Sequence, residues 1–391
     1  MAKGERRNIV ILGGDGFCGW PTALHLSAGG HRVTIFDNLS RRAIDEELGT
    51  RSLTPIETPE TRLAAWHEVT GQTIGFHQID IAREYDRFEA LLGELRPDAV
   101  VHFAEQRSAP YSMASTAGAR YTISNNLSAT HNLLCALNAL SLDAHLIHLG
   151  SIGVYGYASA GLQLPEGYLK ITAEGSDGRQ ITRETLFPGN PDSIYHLSKS
   201  LDQHLFAFYA RQSGLRCTDL HQGIVWGVQT QQTRRDPRLV NRFDYDPVYG
   251  TVVNRFLVQA TTGHALSVYG TGEQTRAFIH LSDTIDCIEK ALDNPPVAGE
   301  RVRIVNQTAQ SLTVTGLAKL VAERTGANIA FLANPRQEPV RNDFAVDQTT
   351  LAGFGIKVRT LEEGLTAEIA AVAELTGLKD EVDAACLYPV S

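Results

Sequence analysis

An apolar run, Asn8-Ile9-Val10-Ile11-Leu12, stops directly at Gly13-Gly14-Asp15-Gly16-Phe17-Cys18-Gly19, and no other stretch of this 391-residue chain restricts its fold as much. A short continuous run of this kind reads as a strand buried on both faces, as in a parallel sheet. The glycines at 13, 16 and 19 then form a strand-to-helix turn whose backbone amides can approach a pyrophosphate at the positive end of a helix over about 18–28. Their spacing is Gly-x-x-Gly-x-x-Gly, not the Gly-x-Gly-x-x-Gly of the dinucleotide fingerprint. A second apolar strand, 32–36, ends at Asp37. A carboxylate there accepts hydrogen bonds from an adenosine ribose and repels a 2′-phosphate, which favours NAD over NADP. Arg41 and Arg42 weaken that preference, because a guanidinium there could accept the extra phosphate.

Strands and helices keep alternating. A polar excursion spans 40–75, followed by a strand at 75–79 that ends at Asp80-Ile81, a helix around 88–95 and a strand at 99–103. A helix near 126–140, a strand at 145–149, a helix to about 213 and a strand at 216–222 follow. This order implies an α/β fold, a Rossmann-type doubly wound parallel sheet, with ligands at the carboxyl ends of the strands. Regularity breaks after 222. Residues 228–250 are polar and basic, 268–280 read as a loop feeding a short strand, and 314–325 as an amphipathic helix. We therefore expect residues 1–222, with part of 273–318 returning, to form the nucleotide domain. Residues 223–272 and 319–391 would form a smaller mixed α/β substrate domain, with a cleft between the two.

Tyr195 and Lys199 stand four apart in the expected helix, so they share one face, where an ammonium lowers the phenol pKa. Ser151, just past the 145–149 strand, can complete a proton relay of the kind used in hydride chemistry at a sugar carbinol. Net charge is −9, which leaves no electrostatic footprint for nucleic acid. No apolar run approaches the ~20 residues of a membrane span, and little chain precedes the first strand, so a cytoplasmic protein without a leader is expected. The five cysteines (18, 135, 217, 287 and 386) lack paired ligand spacing, so no metal site is expected and reduced thiols are.

Several blocks together resemble one family. They are Gly-Gly-Asp-Gly-Phe-Cys-Gly-Trp (13–20), Asp-Asn-Leu-Ser-Arg-Arg (37–42), Ser-Leu-Thr-Pro-Ile (52–56), His-Phe-Ala-Glu-Gln-Arg-Ser-Ala-Pro-Tyr-Ser-Met (102–113) and Tyr-His-Leu-Ser-Lys (195–199). The chain looks like a member of the UDP-sulfoquinovose synthase family of extended short-chain dehydrogenase/reductases, a resemblance that runs through the turn at 270–276 to Asn-Pro-Arg at 334–336. It implies conversion of UDP-glucose and sulfite to UDP-sulfoquinovose, a sulfolipid head-group donor, with tightly held NAD. Oxidation at carbon 4 would be followed by loss of water across carbons 5 and 6, addition of sulfite at carbon 6 and reduction at carbon 4. Catalysis would fall to Ser151, Tyr195 and Lys199. NAD would lie against Gly13, Gly16, Phe17, Cys18, Gly19, Asp37, Asn38, Arg41, Asp80, Ile81, Phe103 and Ala104. The UDP-sugar would meet Gln222, with Arg107, His196 and Gln274 around the incoming anion and Arg276 and Arg336 on the diphosphate. Sulfite could arrive free or from a donor protein, and the superfamily habit is a homodimer.

Sugar 4,6-dehydratases carry an Asp-Glu pair after the catalytic hydroxyl, where this chain has Ile152-Gly153, which argues against an ordinary dehydratase and agrees with the resemblance. Departures from the family pattern matter too. The synthases read Thr-Met-Gly-Glu-Tyr-Gly, and here the glutamate is Val154. His221 and Trp226 replace an asparagine and a tyrosine. A 4-epimerase or 5,6-dehydratase acting on a nucleotide sugar without sulfite is therefore the alternative. A non-catalytic NAD-binding regulator is disfavoured by the intact Ser151, Tyr195 and Lys199.

Overall fold

The computed structural model describes residues 6–156, 163–187, 189–334, 342, 345–377, 382 and 387. Seven strands make one parallel sheet: β1 (Asn8–Leu12), β2 (Arg32–Asp37), β3 (Ile74–Gln78), β4 (Ala99–His102), β5 (His145–Ser151), and, beyond a hairpin of β6 (Tyr168–Glu174) and β7 (Gln180–Leu186), β8 (Arg216–Gln222) and a later edge strand. From β1 the order runs to β2 and β3 on one side and to β4, β5 and β8 on the other, so the topology reverses at β1. Ligands of doubly wound sheets bind outside the carboxyl ends at such a reversal.

Alternation along β1 builds both halves of the core. Ile9 and Ile11 pack with Ala23 and Leu24 of α1 (Gly19–Ala28), whereas Val10 and Leu12 pack on the opposite face. Each such side chain contributes about 1.5–3 kcal/mol on burial. The polar excursion is not a plain loop, because it contains α2 (Ser40–Leu48) and α3 (Pro59–Thr70). The start of α3 was written in its sequence: Thr58 caps Thr61 N and Pro59 takes the first helical position. After α4 (Tyr85–Leu95) and a short α5 (Ala109–Ala114), α6 runs Thr116–Ala139, starting earlier than its apolar spacing predicted. Ser115 sets that start by accepting from Gly118 N at 3.0 Å. Next, α7 (Ile194–Ser213) is capped by Ser193.

Past β8 the chain builds a second layer. β9 (Ile224–Trp226) is followed by α8 (Val252–Thr261), β10 (Leu266–Tyr269), β11 (Thr275–His280) and α9 (Leu281–Asp293). β12 (Arg303–Gln307) returns to the large sheet beside β8, in register from Arg303 opposite Thr218 to Gln307 opposite Gln222. The remaining elements are β13 (Gln310–Thr313), α10 (Val314–Thr325), β14 (Ile329–Leu332), α11 (Thr349–Gly353) and α12 (Leu361–Gly377). β9, β11 and β13 form one small sheet and β10 pairs with β14. A second apolar cluster, with Trp226, Phe256, Phe278, Leu317 and Leu365, holds this layer together. No helix among the described residues is long and apolar enough to cross a membrane.

Candidate active site

Two adjoining cavities open at the carboxyl ends of the large sheet. The first, about 1110 Å³, runs over the glycine turn and the ends of β1, β2 and β4, and the second, about 1370 Å³, faces the small layer. Tyr195 lines both, as do Phe17, Cys18, Arg107, Gln222 and Tyr249.

The glycine turn has the shape a pyrophosphate needs. Gly13 sits at φ +79°, and a Cβ there would lie 2.7 Å from Ala104 N, so the ends of β1 and β4 close together only around glycine. At Gly19 a Cβ would meet Gly13 O at 2.1 Å. The Asp37 carboxylate accepts from Asp15 N (2.8 Å) and Leu39 N (2.7 Å), and it keeps lone pairs for ribose hydroxyls. Burial, reinforced by Asp15, raises its pKa to about 6. The neighbouring arginines are engaged elsewhere. Arg42 grips Asp15 through Nε (2.7 Å) and Nη2 (2.9 Å), and Arg41 binds Asp45 (2.6 Å) and Asp244 (3.2 Å). Neither guanidinium waits for a 2′-phosphate, and the residues fit NAD. Asn38, which caps Ser40 N, lines the same cavity with Arg41, Asp80, Ile81, Phe103 and Ala104. Asp80 also accepts from Ala82 N at 3.0 Å.

Tyr195, Lys199 and Ser151 come together as their spacing implied. Ser151 Oγ accepts from Gly153 N at 3.1 Å, and its hydroxyl acts to lower the pKa of the Tyr195 phenol. Lys199 is buried, donating to Leu149 O (2.6 Å) and standing 2.9 Å from Glu105 Oε2. The expected lowering of the phenol pKa needs correction in this protein. Burial raises it, Lys199 lowers it, Glu105 raises it again, and the outcome is upward. The ligand-type atoms of Glu105, His148 and Asp202 cluster as round an ion, yet Lys199 Nζ stands among them, 3.1 Å from His148 Nε2.

In the second cavity, Ser193 Oγ meets His196 Nδ1 at 3.0 Å and also caps His196 N, so His196 is not itself the helix cap. Its Nε2 lies over Gly153, where a Cβ would come within 2.3 Å of that nitrogen. Gln274 donates to Tyr269 O (3.1 Å), Gln222 to Thr284 Oγ1 (3.2 Å), and Arg276 is buried in the lining. Arg107 pairs with Asp244 at 2.6 Å while remaining part of both walls. Arg336 lies outside the described residues. Val154 is buried with Ile152, Tyr155 and Ala277, off the cavity lining.

Sequence reasoning missed Glu105, Arg255, Tyr249 and Arg242. Glu105 carried a signal, since it closely follows the carboxyl end of a parallel strand beside the glycine turn. Arg255 on α8 stands over the Tyr269 ring at 4.6 Å and lines the second cavity, making a third guanidinium there with Arg107 and Arg276. Tyr249 and Arg242 belong to the irregular stretch 228–250, which folds over the cofactor cavity. Leu53 N donates to Phe243 O (2.9 Å) and Thr54 Oγ1 to Asn241 O (2.6 Å), locking that stretch to 52–54.

Residues 9–306 match the NAD dependent epimerase/dehydratase family. The chain is 42% identical over 98% of its length, and 78% of the relative's, to the chloroplastic UDP-sulfoquinovose synthase of Spinacia oleracea. It is 37% identical to the UDP-sulfoquinovose synthase of Sulfolobus acidocaldarius, over 89% of this chain and 87% of that one. The UDP-glucose 4-epimerase of Thermotoga maritima, solved with UDP-glucose, superposes with a TM-score of 0.69 at 21% identity, over 94% of this chain and 99% of that one.

Proposed function

Because the chain belongs to the NAD dependent epimerase/dehydratase family and, within it, to the UDP-sulfoquinovose synthases, we propose that it converts UDP-glucose and sulfite to UDP-sulfoquinovose with NAD as resident cofactor. One observation carries this reading: Tyr195 lines both cavities, so one phenol can meet a nucleotide in the first and a sugar in the second.

Held by the glycine turn and Asp37 in the first cavity, NAD would supply a hydride acceptor and donor for sugar carbon 4, and a ketone there would acidify the hydrogen on carbon 5 in a cycle that is redox-neutral overall. Tyr195 accepts the proton of the 4-hydroxyl and gives it back at the end, with Ser151 orienting the phenol and Lys199 supplying positive charge. His196 supplies an imidazole to the sugar cavity, whose lining holds no carboxylate among the described residues. Held by Ser193 at Nδ1 and with Nε2 over Gly153, it is placed to move the carbon-5 proton and the departing hydroxyl's proton. Val154 packs away from this cavity, so replacing the family glutamate takes no acid from its wall. Arg107 and Gln274 hold sulfite near carbon 6, and Arg255 and Arg276 hold the diphosphate, for which paired guanidinium contacts are suited. Residues 1–222 with part of 273–318 serve as the nucleotide domain, and 223–272 with 319–391 as the sugar-nucleotide domain. Leu197 and Phe208, exposed on one face of α7, suit a homodimer. We place the protein in the cytoplasm, supplying sulfolipid synthesis.

Purified protein given UDP-glucose with and without sulfite, with products resolved by mass, tests this. A sulfonated sugar nucleotide is expected. A product lighter by one water, or an isomer of equal mass, irrespective of sulfite would replace this reading with the dehydratase or epimerase one. Tyr195→Phe is expected to abolish turnover while NAD stays bound.

A further inference from the structure

Behind the catalytic lysine lies a set of ionisable side chains shut off from solvent. Glu105 Oε2 is 2.9 Å from Lys199 Nζ, and Glu105 Oε1 is 2.8 Å from His148 Nε2. The other ring nitrogen of His148 is 2.8 Å from Asp219 Oδ1, and Asp219 Oδ2 is 3.0 Å from His221 Nε2. His221 Nδ1 reaches the Tyr155 hydroxyl at 2.9 Å, which donates to Asn306 Oδ1 at 3.1 Å. The sheet builds this row: His148 on β5 stands in register with Asp219 on β8. Gly150 leaves the room, since a Cβ there would come within 2.4 Å of Asp219 Oδ1. Nothing in the proton transfers assigned above uses the row, and burying so many charges is unfavourable unless each is matched.

Matching fixes the protonation states. Burial and Lys199 oppose a charge on His148, yet the carboxylates at its two nitrogens raise its pKa to about 9, so both nitrogens donate. Burial would raise Glu105, but Lys199 and then His148 hold it down to about 2. Asp219, against the same burial, is held well below the carboxylate range by His221 and His148. Asp202 is pushed up by burial and Glu105, and His102 is brought down by burial to about 3. Tyr195 is acted on directly by Lys199 on its own helix and by Glu105 and Arg107 after β4, and His196 and Cys18 share its cavity wall; His148 on β5 stands behind Glu105 and Lys199, with His102 on β4 near Glu105, and Asp202 on α7 and Asp219 on β8 near His148.

We propose that Glu105 is a positioning residue for the acid–base work of Tyr195: it joins the Lys199 ammonium and His148 into one buried ion set, and Tyr195 ionises against that shared charge instead of against a lone ammonium. This rests on the reading of Tyr195 as the proton-transfer residue. The set reaches no exposed group at its far end, where Tyr155 and Asn306 are buried, so it holds charge in place and does not conduct protons to solvent.

Removing the charge of Glu105 separates this role from packing. Glu105→Gln removes a negative charge that opposes the phenolate, so Tyr195 titrates lower, by on the order of one pH unit. His148 gives up its proton at about 9, below the range in which the raised Tyr195 phenol ionises, so His148→Gln is expected to leave the Tyr195 midpoint at its wild-type place. The experiment follows tyrosinate absorbance against pH in NAD-loaded wild type, Glu105→Gln and His148→Gln, each corrected by the same protein carrying Tyr195→Phe. Glu105→Asp, which keeps the charge, is expected to hold the wild-type midpoint, and Glu105→Ala, which also removes the charge, carries the test where Glu105→Gln does not fold. A Glu105→Gln midpoint unchanged or raised, or a His148→Gln or Glu105→Asp midpoint displaced as far as that of Glu105→Gln, would overturn the proposal. Retained turnover in Tyr195→Phe would instead remove the reading beneath it, so the two failures are distinguishable.

Discussion

Asp15→Asn is the substitution whose consequences the structure defines most fully. Asp15, in the middle of the glycine turn, accepts from Arg62 Nη1 (2.7 Å) and takes a paired contact from Arg42 Nε (2.7 Å) and Nη2 (2.9 Å). Arg62 has a side chain only 1% exposed, stacked over the Trp20 ring at 3.8 Å, and burial brings its pKa down to about 10. Removing one partner of a buried pair costs about 3–5 kcal/mol because the other charge is left without compensation. Asparagine keeps one carbonyl acceptor for Arg62, and Arg42, a quarter exposed, can turn to water, so the expected loss is near the lower end, about 3 kcal/mol. At roughly 2 °C per kcal/mol for a large chain, the melting temperature should fall by about 6 °C. Calorimetry on Asp15→Asn, Arg62→Met and the double variant measures this, and the double variant should be less destabilised than the two single losses added together. A second arm reads the cofactor: Arg42, released beside Asp37, should improve NADP binding relative to NAD. An Asp15→Asn protein melting within about 1 °C of wild type, or losses that simply add, would refute the assignment of Asp15 as the counter-charge of Arg62.

Other outcomes follow from the same geometry. Gly19→Ala drives a Cβ into Gly13 O, a backbone atom, and overpacking of this kind costs about 1–3 kcal/mol; NAD retained through gel filtration should drop with it. Only ionised Asp37 offers all its lone pairs to ribose hydroxyls, and its pKa is raised from 3.8 to about 6, so NAD affinity measured by calorimetry should weaken as pH falls through about 6. His148 has its pKa raised from 6.5 to about 9, so the stability it contributes is full below 6.5 and lost as pH rises through about 9. Thermal melts between these values should decline, by a smaller amount in His148→Gln.

Much of the site could be read along the chain. The apolar 8–12 run and its glycines specified the turn over the first cavity, and the four-residue step from Tyr195 to Lys199 put both on one face of α7. Asp37, Phe103 and Ser151 were identifiable as strand-end residues before any contact was known. The two helices within 40–75 were less legible, since α2 is short and mostly polar and only the Thr58-Pro59 start of α3 announces itself. Stretch 228–250 carries no period at all, and it covers the cofactor cavity because Leu53 and Thr54 bind its backbone.

What the sequence by itself determined was local: contacts within one strand-turn-helix unit or one helical turn follow from backbone period, which residue spacing encodes directly. Tertiary structure alone decided which charges neutralise each other. Arg42 turns to Asp15 and away from a 2′-phosphate, Lys199 shares its charge with Glu105, and Val154 faces an apolar cluster. Such choices depend on how far each group is removed from water and on which distant element arrives beside it, and buried Coulomb and desolvation energies are fixed only once the sheet and its covering layers have closed.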